Sequence, residues 1–198
     1  WHPGVWFAGP LNSEGWAQLR LDAERVRPGG ALHPVRSAGA QLGLNPAPWF
    51  PRLSAELNVG ERVDVEADRV GRGADGFVEA ILRGSIGRLG VESEQKLQHN
   101  LIRRGGRQVL ADSAARWLGV LHLGARDSLR LVWQASRLRR EADAALSIAA
   151  TAFDAREASL VFQHRVGLGR SLALGATRAS AWPGGHRRDE VFFKAALA

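Results

Sequence analysis

Residues 128–136 read SLRLVWQAS, and apolar side chains occupy every second position of this stretch. Leu129, Leu131, Trp133 and Ala135 alternate with a serine, an arginine, a valine, a glutamine and a second serine. Successive side chains of a β-strand project to opposite faces of the sheet. A two-residue period therefore predicts a strand with one apolar face and one more polar face.

The same alternation recurs on both sides of this stretch. Apolar and polar residues alternate at 52–59, 159–165, 171–177 and 190–197. Counting from Val5, we expect about ten or eleven strands of about 10 to 13 residues, near the ~9–11 that cross a bilayer at a tilt. Strands of soluble sheets are usually shorter. The pattern at 145–153 fits either a strand or a loop.

The spacing of predicted turns adds a second pattern. Short turns are expected at NPAPWFP (45–51), GSIG (84–87), GARD (124–127) and GLGR (167–170), whose first residues lie 39, 40 and 43 positions apart. Longer, glycine-rich polar connections are expected at 67–75, 100–108, 138–157 and 181–188. Short turns at one end and long loops at the other are typical of transmembrane barrels.

These patterns predict an all-β fold, an antiparallel up-and-down transmembrane β-barrel of the bacterial outer membrane. We expect residues 1–198 to form one segment that is incomplete at its N-terminus, the C-terminal part of a larger barrel. The chain starts at Trp1 without a signal peptide, and the alternation is least regular before Trp16. A soluble up-and-down barrel or an extended sheet, whose apolar face lines a core, is the alternative.

The composition excludes several classes of protein. Although 45% of the 198 residues are hydrophobic, no apolar run approaches the ~20 residues of a spanning helix. The absence of cysteine excludes disulfides, thiolate metal sites and cysteine nucleophiles. The net charge of +7 comes almost entirely from arginines, which are dispersed along the chain, so we expect no nucleic-acid partner.

No residue is predicted to be catalytic, cofactor-binding or metal-binding. GRGADG at 71–76 matches the GxGxxG pattern, but a helix should follow a nucleotide site, so we expect only a glycine-rich loop. The six histidines lack metal-site spacing. Ser159 and His164 are five residues apart, which places them on opposite faces of one strand and argues against a nucleophile–base pair.

Two further features suit a membrane setting. Trp117 and Trp133 flank the predicted turn at 124–127, where an aromatic girdle near the bilayer interface is expected. Arginine-rich loops at 102–107, 137–141 and 184–190 either contact anionic lipopolysaccharide or are simply solvated.

Several stretches resemble a known family. The runs at 44–74 (LNPAPWFPRLSAELNVGERVDVEADRVGRGA) and 113–134 (SAARWLGVLHLGARDSLRLVWQ), with 159–178 and 191–198, are similar to the C-terminal barrel of the domain of unknown function 5916 family. The resemblance covers roughly 36–198 and rests on strand and turn patterns.

The resemblance implies a barrel behind a domain similar to family 9 carbohydrate-binding modules. That domain is not in this sequence, so saccharide binding is assigned to no residue here. The chain ends in Ala198 where the family usually has an aromatic residue near its close, so either Phe192 and Phe193 fill that role or the last strand is truncated.

The function expected is to anchor the upstream domain in the outer membrane, in contact with its lipid and lipopolysaccharide, and to pass a solute such as a saccharide. The alternatives are an outer-membrane hydrolase of lipid or glycan and a soluble β-sheet binding module. We expect this segment not to be an enzyme and to need no cofactor.

Overall fold

The fold is a single antiparallel sheet of 11 strands, seen in a computed structural model that describes residues 1–167 and 170–196. Each of β2 to β10 pairs with the strand before and the strand after it in sequence, and β1 and β11 pair on one side only. The strands are β1 (Gly4–Gly9), β2 (Ser13–Arg25), β3 (Leu32–Leu44), β4 (Arg52–Asp64), β5 (Arg69–Ile86), β6 (Leu89–Arg104), β7 (Arg107–His122), β8 (Asp127–Arg140), β9 (Thr151–Gly167), β10 (Arg170–Trp182) and β11 (His186–Ala196).

The all-β, up-and-down architecture predicted from the alternation is therefore confirmed, and the number of strands lies in the predicted range. The ambiguous stretch at 145–153 contains both alternatives. A 3₁₀ turn spans Ala144–Leu146, an isolated bridge joins Asp143 to Ile148, and β9 then begins at Thr151.

The predicted contrast between short turns and long loops is wrong. We call end A the end with the connections 10–12, 45–51, 87–88 and 123–126, and end B the end with 26–31, 65–68, 105–106, 141–150 and 183–185. Both ends mix tight and longer connections. The expected turn at 167–170 includes Leu168 and Gly169, which lie outside the described residues.

The expected long loops are largely strand because the central strands are longer than predicted. Strand β5 has 18 residues and β9 has 17. Gly105 and Gly106 alone connect β6 to β7, and both have positive φ angles of 58° and 80°, which glycine adopts without strain.

The sheet is open within the described residues. Strands β1 and β11 form its two edges and do not pair with each other, so the structure contains no closed barrel. Because ten antiparallel steps separate them, β1 and β11 run in the same direction. No helix among the described residues is long and apolar enough to cross a membrane.

Within the described residues, no other layer covers the sheet and the core is small. Its accessible surface is 13106 Å². A compact monomer of this mass would expose only about 9,200 Å². The buried hydrophobic residues in the described part of the chain are Val35, Ala67, Ile102 and Ile148, which lie in strands or connections near end B.

Candidate functional site

The strand register assigns each side chain to one of two faces, because directly opposed residues project to the same side. Trp117 opposes Trp133, which in turn opposes Ala158, and the same assignment extends to every strand. We call the side that carries Trp133 the apolar face. Its members include Leu19, Ala40, Leu57, Val78, Leu97, Ala115, Leu131, Leu160, Phe162, Leu174, Val191 and Phe193.

Large hydrophobic side chains of the apolar face remain exposed. Leu57, Leu97 and Leu174 are 57%, 58% and 55% exposed, and Val191 on the edge strand β11 is 78% exposed. An isolated exposed leucine is ordinary on a soluble protein. A contiguous apolar surface across a whole sheet marks a face that contacts another molecule or a lipid phase.

The opposite side, which we call the polar face, carries a connected set of charged and amide groups. Asn58 donates hydrogen bonds to Glu56 at 2.8 Å and to Asp75 at 3.1 Å. Further contacts join Arg116 to Glu94 at 3.1 Å and Gln134 to Glu157 at 3.2 Å. Apolar residues such as Val132 and Val161 also lie on this face.

An ion pair shows that the sheet bends toward its polar face. Asp64 on β4 accepts two hydrogen bonds from Arg140 on β8, at 2.9 and 3.0 Å, although three strands lie between them. In a flat sheet, four strand spacings would separate these strands by about 19 Å. The side chains meet because the sheet curls, and the polar face is its concave side.

The concave side forms an open trough between β6 and β11. A pocket of about 730 Å³ there is lined by Lys96, Arg116, Gln134, Glu157 and Arg188, with alanines between them. On the apolar face, a depression of about 690 Å³ lies over Ala17, Ala40, Ala55, Ala74 and Gly76, where short side chains leave space between longer ones. The two faces therefore offer different environments.

Three polar side chains within the apolar face hydrogen-bond one another. Ser93 accepts a hydrogen bond from Trp117 Nε1 at 2.8 Å and another from Gln95 Nε2 at 2.5 Å. An unpaired polar group costs several kcal/mol more in an apolar medium than in water, on the order of 2–7 kcal/mol. This small network allows three polar groups to lie on an apolar surface.

The structure agrees only in part with the predicted placement of Trp117 and Trp133. Both lie on the apolar face, but they oppose each other in the middle of β7 and β8. The turn they were expected to flank spans 123–126, several residues from either tryptophan. They therefore flank the turn at strand positions, as predicted, but lie deeper in the hairpin than residues beside the turn.

The residues considered for catalysis do not assemble a reactive site. Ser159 and His164 lie on opposite faces of β9, as predicted, since Ser159 opposes Val132 and His164 opposes Asp127. His164 hydrogen-bonds Asp127 at 2.7 Å, and His33 hydrogen-bonds Asp68 at the same distance. Within residues 1–167 and 170–196, no group of three acidic or histidine side chains is placed to hold a metal ion.

The GxGxxG stretch is neither a nucleotide site nor a loop. Gly71, Gly73 and Gly76 lie inside the antiparallel strand β5, so the predicted glycine-rich loop is wrong. A Cβ atom at Gly73 would overlap the Leu101 carbonyl oxygen, and one at Gly76 would overlap the Glu56 carbonyl oxygen. Glycine is required here because neighbouring strands approach closely.

The arginine-rich stretches are strand ends more than loops. Most of 137–141 belongs to β8, and 186–190 belongs to β11. The register places Arg72, Arg103, Arg137, Arg156 and Arg178 on the apolar face, each in the half of its strand toward end B. The sequence did not predict this row, which we call the arginine border, because it places most of these arginines in separate loops.

No protein-family model, curated protein or solved structure shows a significant match to the chain.

Proposed function

We propose that the sheet is the C-terminal part of a transmembrane β-barrel in a bacterial outer membrane, with the apolar face toward lipid and the polar face toward the barrel interior. The observation that carries the proposal is the pairing of opposite properties on one curved sheet. Most of the exposed large hydrophobic side chains of the strands lie on the side away from the bend, while the Asp64–Arg140 ion pair and the Asn58 amide hydrogen bonds lie inside it. Transmembrane barrels have this arrangement.

The dimensions of the apolar face support the proposal. On β7 the face runs from Ala111 to Leu121, interrupted only by Ser113 and Gly119. The ten steps between these eleven residues, at ~3.4 Å each, span about 34 Å, and a strand tilt of ~40° reduces this to about 26 Å. The apolar band of outer-membrane barrels is ~25 Å tall.

The edge strands β1 and β11 need pairing partners if the sheet lies in a membrane. Unpaired backbone groups are not tolerated in hydrocarbon, so β1 and β11 must be paired in a membrane. Because these two strands run in the same direction, joining them directly would create a parallel pair. An all-antiparallel barrel needs an odd number of additional strands, which we assign to other parts of a longer parent protein.

The role proposed for this barrel follows the resemblance to the domain of unknown function 5916 family. The barrel anchors an upstream, carbohydrate-binding-like domain and passes a solute such as a saccharide along the polar face. Conductance of the full-length parent in planar bilayers tests the passage of solute. Hydrolysis of lipid or glycan that is lost on replacing one serine or histidine would favour an enzyme instead.

The membrane orientation is testable with cysteine labels, since the chain has no native cysteine. Leu131→Cys places a label on the apolar face, and Val132→Cys places one on the polar face of the same strand. After reconstitution in phosphatidylcholine vesicles, we expect nitroxide lipids to quench a fluorophore at residue 131 and aqueous iodide to quench one at residue 132.

Equal access of iodide to both labels would overturn the lipid-facing assignment. A chain that stays monomeric in water without detergent would also contradict it, and would favour a soluble binding module.

A further inference from the structure

A pocket of about 610 Å³ lies on the apolar face at end B, inside the arginine border. Four consecutive strands contribute to it. Its residues include Arg137 from β8, Asp154 and Arg156 from β9, Ser180 and Trp182 from β10, and Arg187 from β11. Its residues are brought together by strand pairing, because Arg137 opposes Asp154 and Arg156 opposes Ser180, which in turn opposes Arg187.

The pocket carries an excess of positive charge. Asp154 contacts Arg137 at 3.5 Å and also Arg139, while Asp189 contacts Arg178 at 2.8 Å and Arg187 at 3.1 Å.

Arg156 has no ion-pair partner among the described residues, although its neighbours contain two aspartates. The five arginines and two aspartates of the pocket and its immediate surroundings carry a net charge of +3, although four of these arginines contact an aspartate. Such a cluster favours an anionic ligand.

The surroundings of the pocket suit a ligand with one charged end and one apolar end. Ala158 and Leu160 follow Arg156 on the same face of β9, and Ala176 and Leu174 precede Arg178 on β10. Trp182 is 57% exposed beside the arginines, and tryptophan is favoured where an apolar phase meets water. The charged pocket is thus continuous with the exposed apolar face.

The arginine border also has an excess of positive charge on β5 and β6, on the same apolar face. Arg72 and Arg103 are direct cross-strand partners on the apolar face, and neither forms an ion pair with a described residue. Like charges on directly opposed residues destabilise a sheet, by about 0.2–1 kcal/mol per pair. An anion bound between them would relieve this repulsion.

We infer that the pocket between Arg137, Arg156 and Arg187 binds the phosphate group of an anionic membrane lipid whose acyl chains lie on the apolar face. Guanidinium groups bind phosphate through paired N–H donors, which a point charge cannot match. The assignment rests on the proposed membrane location, and it deepens that proposal by naming the lipid chemistry and the residues that recognise it.

The test compares two substitutions that remove the same charge from opposite faces. Arg156→Gln alters the pocket, whereas Arg130→Gln alters an exposed arginine on the polar face of the adjacent strand. Binding of lipid A, phosphatidylcholine and inorganic phosphate to the detergent-solubilised full chain is measured by native mass spectrometry. Circular dichroism verifies that each variant keeps its sheet.

We expect the unmodified chain to bind lipid A in preference to phosphatidylcholine, and Arg156→Gln to weaken that binding at least about tenfold, as for the loss of a charge-assisted hydrogen bond. Arg130→Gln should leave it unchanged. Arg187→Gln serves as a second pocket variant if Arg156→Gln misfolds, and should weaken binding similarly.

Two results would overturn the inference. One is equal loss in Arg156→Gln and Arg130→Gln, and the other is inorganic phosphate that binds as tightly as lipid A. The labels at residues 131 and 132 separate this failure from that of the proposed function. A correct labelling pattern without lipid preference rejects only the pocket, while a wrong pattern rejects the membrane location itself.

Discussion

Arg140 on β8 and Asp64 on β4 form a two-hydrogen-bond ion pair that closes over the concave, polar face of the sheet. The two side chains are only 9% and 1% exposed, and Arg140 Nε also contacts Glu66 at 2.8 Å. The pair joins residues 76 positions apart in sequence. It fixes the bend that places the apolar face on the outside.

The first prediction concerns this pair. Asp64→Ala leaves the Arg140 guanidinium buried with only Glu66 as an anionic partner, so we expect the free energy of unfolding to fall by about 3 kcal/mol, the lower end of the range for a broken buried pair. Urea unfolding of the refolded chain, followed by tryptophan fluorescence, measures it. Glu190→Ala, which breaks the exposed contact with Arg188, is the control and should change stability little. Equal effects would show that the bend does not depend on Asp64.

The second prediction concerns the polar network on the apolar face. Ser93→Ala removes the acceptor of both Trp117 Nε1 and Gln95 Nε2, and we expect it to lower stability by about 1–3 kcal/mol. Ser113→Ala, on the same face of β7, removes a hydroxyl that has no side-chain hydrogen bond in the described part of the chain. If both alanine variants unfold at the same urea concentration, the Ser93 network contributes nothing.

The third prediction concerns the close approach of β5 and β6. At Gly73 an added Cβ would overlap the Leu101 carbonyl oxygen, so Gly73→Ala forces the strands apart and should cost about 1–3 kcal/mol. At Gly84 nothing lies within 4 Å of the added atom. Gly84→Ala is therefore the matched control in the same strand, and we expect it to unfold like the unmodified chain. Tolerance of both substitutions would mean that β5 does not need its glycines.

The alternation at 52–59 and 128–136 was enough to predict the strands, their direction and the residues of each face. It was not enough to predict where strands end. The sequence predicts a loop at Arg72, Gly73 and Asp75, because glycine and charged residues usually mark one. In β5 they are strand residues, since Gly73 relieves a backbone overlap and Asp75 hydrogen-bonds Asn58.

The candidate site is predicted only in part, since the sequence singles out the stretches that contain Arg137 and Arg187 but neither Arg156 nor the pocket. Arg137, Arg156 and Arg187 lie on three different strands, and only the register brings them to one pocket. Two-residue periodicity predicts the face of a side chain but not which residue of the neighbouring strand lies opposite it. The sequence pattern does not predict the Asp64–Arg140 contact either, because that contact depends on the curvature of the sheet across four successive strand pairings.

The fourth prediction separates a lipid-facing surface from one exposed to water. Leu160 and Ser159 are neighbours in β9 that point to opposite faces, and Leu160 is 46% exposed. On a soluble sheet, arginine at an exposed leucine position removes an apolar group from water and should leave stability almost unchanged. In a bilayer, arginine on the lipid face costs about 2–4 kcal/mol near the midplane. We therefore expect Leu160→Arg, and not Ser159→Arg, to lower the free energy of unfolding from phosphatidylcholine vesicles. The reverse order, with Leu160→Arg the milder change, would place the apolar face outside the lipid.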